Sequence, residues 1–593
     1  MVKNQSLAGD FMISIKDHKQ GQLFDPWGFL SPKRRKMLEE GWPGLFQKEI
    51  LCELPVSRVV PFFCGHNGRP SKELYTVLGA LLLQQVIDLS DQETVEHLAF
   101  NIQWHFALNL PEESDSAKYL CPKTLWSMRQ LLIETRTDQA IFNIAAGKIA
   151  SIFNTDTDCQ RLDSTHIRSN MRRLGRVGIF SQTIHKFLVN LKRHHKDLIK
   201  TIDEQVIARY LKPKSLAAFA LVKPSQADKT LQTLSADLYD LIDQFKDQES
   251  VRSMNCYKLM VRVLNEHCNL HPDSSSPVTV KPAKEIASDS LQNPSDPDAT
   301  YDGHKGQGYQ VQVMETYTEC DDKEQGKLTP NLITYVSVEP ACQSDAHAVM
   351  PAIEDTRQQE LAPEKLLADA AYGRDANVQQ AAEIGVELVS PTMKGNQKKE
   401  INLTAFELDD NGRIISCPEG HHPEKVKHKK KRDKFSACFA SQQCAQCPVK
   451  DKCLSTAGKK YNYVRYSGKD YRLAVRRIAQ RSDEFVDTYR WRAGVEATMS
   501  EYKKLTGVGR LRVRGFKAVR YCATLKAVGV NLFRAAAAYR ARIRAQRTQN
   551  GRTSPQSSIF SFFKEQFLGF MSESVDMMIP QCVADDFFVK LAA

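Results

Sequence analysis

Tyr489, Arg492, Glu496 and Lys503 lie in TYRWRAGVEATMSEYKK, Thr488 to Lys504, a stretch with the pattern of a helix. At about 100° per residue, these four side chains fall within about 60° of one another. Trp491, Val495, Met499 and Tyr502 form an apolar stripe beside them. The polar row therefore stands at the rim of a core, not on a solvated back. A phenol, a guanidinium, a carboxylate and an ammonium on one rim can hold a metal ion and a phosphate. An i,i+4 ion pair between Arg492 and Glu496 is the plainer account, at about 0.2–0.5 kcal/mol. It leaves Tyr489 and Lys503 unexplained.

Two more acids are placed where chemistry needs them. Asp163 in RLDSTHI and Asp369 in LLADAAYG each fall at or near the expected end of a strand. Carboxylates at the carboxyl ends of strands sit where α/β sheets place their sites. Three that converge can hold two divalent cations through oxygen. Such a pair of ions, about 4 Å apart, clamps the attacking and leaving oxygens of an in-line phosphoryl displacement. Taken singly, an Asp after a strand is more often a cap or turn residue; the set carries the reading. Asp156 and Asp158 lie close to Asp163, which is preferred because the RL pair leads directly into it.

The elements that must position these acids follow from periodicity and punctuation. Residues 1–40 read as a loosely ordered lead. Helices then follow: SKELYTVLGALLLQQVIDL with Ser71 as cap, SDQETVEHLAFNIQWHFAL capped by Ser90 or Asp91, and PKTLWSMRQLLIETR opened by Pro122. Three short helices suit a helix-turn-helix or a plain bundle. A strand is expected over Asp158 to Ile167. A long helical, polar stretch runs from about Phe180 to Cys268, and His271 to Asp298, rich in Ser, Pro and Asp, reads as a linker. Strands return in GYQVQVMETY and NLITYVSVEP. A helix, the strand KLLADAAYG, a second helix and the strand VELVSP complete an α/β layer with one large insertion. From Lys394 to about Tyr466 periodicity fades while charge and cysteine rise.

In that stretch Cys417 sits in CPEG, and Cys444, Cys447 and Cys453 in CAQCPVKDKC. A C-x2-C knuckle with distant partners fits tetrahedral, structural Zn²⁺. Cys438, His421 and His422 compete as ligands, and surface thiols in a loop are the alternative. The basic run KVKHKKKRDK reads as a solvated face. Between Glu501 and Glu565 there is no acid at all, and Arg510, Arg512 and Arg514 alternate with glycine and apolar residues in a segment able to track a phosphate backbone. In YDGHKGQGYQVQV, His304 and Lys305 stand on a turn that could touch phosphate or simply enter a strand.

The spacing Tyr489, Arg492, Glu496, Lys503 resembles the YREK signature of bacterial insertion-sequence transposases. DSTHI around Asp163 and ADAAYG around Asp369, with Tyr372 three residues on, also fit that family's pattern, as does the helical N-terminal GRPSKELYTVLGALLL. The long gap between Asp163 and Asp369 departs from it. The resemblance implies an RNase H-like mixed sheet flanked by helices, with a helical N-terminal domain (1–150), a catalytic domain (151–545) and a C-terminal tail (546–593). The catalytic domain would carry a helical insert and linker (180–300) and a small zinc-knuckle-like insertion (394–465). It also implies that Asp163, Asp369 and Glu496 hold two Mg²⁺ or Mn²⁺ ions, and that Tyr489, Arg492 and Lys503 contact transposon-end DNA. The reaction would be metal-dependent cleavage and strand transfer at terminal inverted repeats, by a homodimer assembled on double-stranded DNA. A metal-dependent nuclease without strand transfer, or a decayed zinc-containing DNA-binding protein, are the alternatives.

The bulk properties agree. A chain of 593 residues with 42% apolar residues is ordinary globular material, which disfavours wholesale disorder. A net charge of +12 suits a polyanionic partner. No apolar run suggests a secretory signal or a membrane span, so a soluble, cytoplasmic protein is expected. Fifteen cysteines in so long a chain are not a disulfide scaffold.

Overall fold

The computed structural model describes residues 12–20, 25–65, 69–213, 215–271, 277–393 and 399–549. The aromatic tail after 549 and the first eleven residues lie outside this set. The longer helices and the main strands are numbered along the chain.

The N-terminal region is helical: α1, Pro32–Glu39; α2, Leu74–Val86; α3, Asp91–Phe100; α4, Pro122–Glu134; and α5, Thr137–Phe153. The expected loose lead is packed from residue 25 onwards, because Trp27, Leu30 and Leu38 are buried with Phe106. The start of α2 is also corrected. Glu73 is its cap, and its carboxylate accepts from the N–H groups of Tyr75 and Thr76, while Ser71 Oγ accepts from Ser14 N–H instead. Two carboxylate oxygens satisfy more orphan donors than one hydroxyl can. Ser90 caps α3 in a reciprocal box with Glu93. Asn101 then ends α3 and caps its own short helix, Ile102–Ala107. Leu74, Val77, Leu78, Leu81, Leu82 and Leu83 are all buried, which makes α2 the central helix of this region.

The mixed sheet begins at β1, Cys159–Arg168, and is interrupted by the helical insert, whose main helices are α6, Arg176–His194; α7, Ala227–Phe245; and α8, Asn255–His267. The insert has its own core, in which Phe180, Phe187, Leu234, Leu238, Phe245 and Met260 are almost wholly buried. The sheet resumes with β2, Thr300–Asp302; β3, Gly306–Thr316; and β4, Ile333–Pro340. It ends with α9, Val349–Gln358; β5, Lys365–Ala368; α10, Asp375–Glu383; and β6, Glu387–Val389. The strand order is β4-β3-β1-β5-β6, with β2 also pairing β3. β1 is antiparallel to β3 and parallel to β5, and β5 is parallel to β6.

The expected linker is corrected over 277–298, where it is packed. Leu291, Ser290 and Asp296 are buried, and Asp296 accepts from Ser169 Oγ (2.5 Å), the Tyr309 hydroxyl (2.6 Å) and Gly515 N–H (3.0 Å). Its polar residues found fixed partners, so composition alone misled.

The cysteine-rich region folds as a small antiparallel sheet: β7, Lys425–Lys429; β8, Lys434–Ala440; β9, Thr456–Ala457; and β10, Tyr461–Ser467, in the order β7-β8-β10-β9. It is not a loop region, since Leu403, Phe406, Ile414, Phe435, Phe439, Val464 and Tyr466 form a core. The basic run is the β7–β8 hairpin, turned at Asp433 with φ of 45°.

Then follow α11, Gly468–Ala479; α12, Asp483–Tyr489; α13, Gly494–Thr506; and α14, Phe516–Gln549. The single helix expected over 488–504 is therefore broken, with a 3₁₀ turn at Arg490–Ala493. Arg161 of β1 packs against this turn. Its Nη1 donates to the Trp491 carbonyl at 2.6 Å, an acceptor that the Gly494 N–H also uses in the i,i+3 pattern of the turn. Its guanidinium also occupies the space over Gly494, where a Cβ would come 2.1 Å from Nη1. Among the described residues no helix is long and apolar enough to cross a membrane.

Candidate active site

Period-two alternation divides β1 between two faces. Leu162 is buried with Val349, Ile353, Leu366 and Tyr372, under α9 and α10. Arg161 and Asp163 consequently point to the opposite face, where α13 lies. Asp163 is in the middle of β1, not at its end, because β1 runs on along β3 to Arg168. It nevertheless stands where the parallel pairing with β5 stops. Leu162 and Ala368 are register partners, so Asp163 and Asp369 are the next pair along.

Each Asp has one oxygen engaged locally. Asp163 Oδ1 accepts from Ser164 N–H at 2.8 Å, and Asp369 Oδ1 accepts from Ala371 N–H at 2.7 Å. Asp163 Oδ2 accepts from Arg492 Nη2 at 2.9 Å, and Arg492 Nη1 reaches Glu496 Oε1 at 3.3 Å. Arg492 thus joins the first acid to the third. Burial pushes the Asp163 carboxyl above its ordinary value, against the pull of Arg492 and with help from Asp369 and Asp345. Glu496 is largely exposed, with 72% of its side chain accessible. Asp156 and Asp158 stay in the turn before β1, where Asp156 accepts from Asp158 N–H.

Among the described residues, no group of three His, Cys, Asp or Glu is gathered closely enough to hold an ion as it stands. The donors nonetheless suit Mg²⁺ or Mn²⁺. They are hard carboxylate oxygens, one on β1 and one just past the end of β5, and a guanidinium already sits between Asp163 and Glu496 as a cation.

The basic residues separate into two groups. Lys305, Arg168 and Asp163 all bear on Lys503: burial lowers its amine, and the two cations lower it further, while Asp163 opposes them. Lys305 stands in a turn held by Asp302, whose Oδ1 accepts from the N–H of both His304 and Lys305. Tyr489 is half-buried, and its ring stacks on Phe485 at 5.4 Å. Burial raises its phenol against the pull of Arg492, with Asp369 and Asp163 adding to the rise. Arg512 instead pairs with Asp88 at 3.6 Å and Glu93 at 3.4 Å. Arg510 and Arg514 are exposed.

The four thiols of Cys417, Cys444, Cys447 and Cys453 line one small pocket with His421. Burial raises the Cys444 thiol, and the other three thiols raise it further. Cys438 lies on β8, paired with Lys425 and Tyr463, and His422 Nδ1 is tied to the Ile415 carbonyl.

Sequence reasoning missed Arg161, Arg168, Glu315 and Asp345. Period two alone would have placed Arg161 on the face of Asp163. Glu315 becomes visible only through its register partnership with Arg161. Asp345 comes near through Gln312, whose Nε2 donates to it at 2.9 Å and whose Oε1 accepts from the Tyr372 hydroxyl at 2.6 Å.

A comparison with curated proteins finds no match. Residues 416–536, which include the four thiols and Glu496 but neither Asp, match the family model of a Transposase DDE domain. Residues 48–131, spanning α2 to most of α4, match that of a Transposase domain (DUF772). These two matches, one over the Glu496 part of the site and one over the N-terminal helices, support a transposase.

Proposed function

We propose that the chain is a DNA transposase with an RNase H-like core, acting in the cytoplasm at the terminal inverted repeats of an insertion sequence. One observation carries this reading: Asp163 and Asp369 are adjacent in register, and Arg492 links Asp163 to Glu496. The strand order, with one antiparallel and one parallel neighbour on β1, supports the RNase H-like assignment.

Asp163, Asp369 and Glu496 would hold two Mg²⁺ or Mn²⁺ ions, which supply Lewis-acid activation of water and then of a DNA 3′-hydroxyl. Arg492, Lys503 and Lys305 would grip the phosphates around the scissile bond, joined by Arg168. Tyr489, wedged beside Phe485, sets the edge of that surface. Burial of Asp163 limits the screening of its own carboxylate by water, while Glu496 stands exposed. Arg510 and Arg514 would track the DNA further out, whereas Arg512 holds the N-terminal helices to the core through Asp88 and Glu93. The N-terminal helices would bind the element ends, and pairing two ends calls for a homodimer on DNA. Cys417, Cys444, Cys447 and Cys453 would hold a structural Zn²⁺.

The test is cleavage of DNA carrying candidate element ends, with Mg²⁺, by the natural chain and by Glu496→Ala. Cleavage and joining by the first and neither by the second are expected. Cleavage that survives the substitution would remove Glu496 from the site. Cleavage without joining would leave a nuclease.

A further inference from the structure

Glu315 on β3 has no exposed surface and faces Arg161 across the β1–β3 pairing. Its carboxylate accepts from Arg161 Nε at 2.8 Å and from Arg534 Nη1 of α14 at 2.8 Å. Thr498 Oγ of α13 lies 2.8 and 2.7 Å from its two oxygens. Arg534 also donates to Glu501 of α13 at 2.7 Å and to Thr498 Oγ at 2.6 Å.

Two arms of this cluster lie on elements of the site, and the third, Arg534 of α14, ties back to α13 through Thr498 and Glu501. Arg161 stands two residues before Asp163 and holds the Trp491 carbonyl in the turn that bears Arg492. Thr498 stands two residues after Glu496. We propose that Glu315 is a positioning residue for the reaction. It fixes the height and rotation of α13 over β1, so that Glu496 and Arg492 meet Asp163. This rests on the reading of Asp163, Asp369 and Glu496 as the metal-holding acids.

Adhesion alone does not call for these groups, because well-packed apolar side chains hold a helix to a sheet at least as well as a buried ion cluster. Ionic hydrogen bonds differ in direction and length. Apolar packing tolerates sliding and rotation that short bonds from three elements to one carboxylate do not. A misplacement of about 1 Å at a reacting centre costs about 10²-fold in rate. Mg²⁺ requires near-ideal octahedral geometry, so it is the ion most sensitive to such a shift.

The test compares the full chain with Glu315→Gln and Thr498→Val, the latter removing only the hydroxyl from the cluster. Glu496→Ala is the control for the underlying reading. Four quantities are read: melting temperature, affinity for element-end DNA, Mn²⁺ affinity by calorimetry without DNA, and cleavage rate at saturating DNA in Mg²⁺ and in Mn²⁺. Positioning predicts unchanged DNA affinity, Mn²⁺ affinity lowered several-fold, and cleavage in Mg²⁺ lowered about 10²-fold for Glu315→Gln. Thr498→Val should follow the same pattern more weakly, with a higher ratio of Mn²⁺ to Mg²⁺ activity. If Glu315→Gln does not fold, Thr498→Val decides on the same quantities. A folded variant with lower melting temperature but natural Mn²⁺ affinity and natural cleavage rate overturns the proposal. Cleavage that persists in Glu496→Ala overturns the underlying reading instead.

Discussion

Asp163 and Asp369 are brought side by side by their neighbours: Leu162 and Ala368 are register partners in the parallel pairing of β1 with β5. Neither acid draws the other in, since two carboxylates repel. The buried apolar strands place them together, and Arg492 supplies the opposing charge.

The role of Arg492 as a resident cation has a measurable result. It holds Asp163 at 2.9 Å and Glu496 at 3.3 Å, two of the acids proposed to bind divalent ions. In DNA-free protein, Arg492→Ala should bind Mn²⁺ about tenfold more tightly, a gain of about 1.4 kcal/mol. It should cleave DNA more slowly if the proposed phosphate grip of Arg492 is lost. Calorimetry with Mn²⁺ checks the first statement; equal affinity would show that the guanidinium does not compete.

Asp163 sets a pH dependence. Its carboxyl is raised in the folded chain, chiefly by burial. A raised carboxyl favours the folded state only while it is protonated. That contribution is complete below the unfolded value of about 3.9 and is lost as pH rises through the folded value. Asp163→Asn should therefore melt higher than the natural chain at neutral pH without metal, and the gap should close below about pH 4. Melting curves across that range decide it; a variant that melts lower at pH 7 would contradict the sign.

Gly494 tests the turn. An added methyl in a helix normally gains about 0.5–1 kcal/mol over glycine. Here it would lie 2.1 Å from Arg161 Nη1 and 2.6 Å from its Cζ. Overpacking of that kind costs about 1–3 kcal/mol, so the clash prevails. Gly494→Ala should be less stable in denaturant titrations; a more stable variant would mean that Arg161 moves aside freely.

For the thiols, about one zinc per chain is expected on metal analysis, lost in Cys444→Ser. Removing the metal should lower the melting temperature of the small sheet. The loss should be well below the about 10–16 kcal/mol of isolated zinc fingers, because Phe406, Phe435, Phe439 and Tyr466 remain packed without it. Protein purified without metal and unmoved by chelator would rule the site out.

Periodicity made the strands around Asp163 and Asp369 and the helices of the N-terminal region legible. It failed where a distant residue decides local structure. Nothing between Thr488 and Lys504 announces a break, and the side chain that packs against it, Arg161, lies more than three hundred residues earlier. The same is true of 277–298: Ser, Pro and Asp read as a linker until Ser169, Tyr309 and Gly515 bind Asp296. The small sheet escaped notice because its apolar residues are spread thinly among lysines, and alternate only once β7, β8 and β10 are paired. The three proposed acids, by contrast, stand out in the sequence by position, but the register that sets Asp163 beside Asp369 does not.

The insert between β1 and β2 bears on how the chain acquires its structure. Ser169 at its start is bonded to Asp296 at its end, and Asn293 donates to the Arg172 carbonyl. Its entry and exit are therefore neighbours, and its core is separate from that of the sheet. Joining β1 to β3 directly would mean closing a loop of well over a hundred residues, an entropic cost that grows with the logarithm of length. An insert folded around Phe187, Leu238 and Phe245 holds its two ends together, so the two strands face each other across what is in effect a short connection, and much of the closure entropy is offset within the insert.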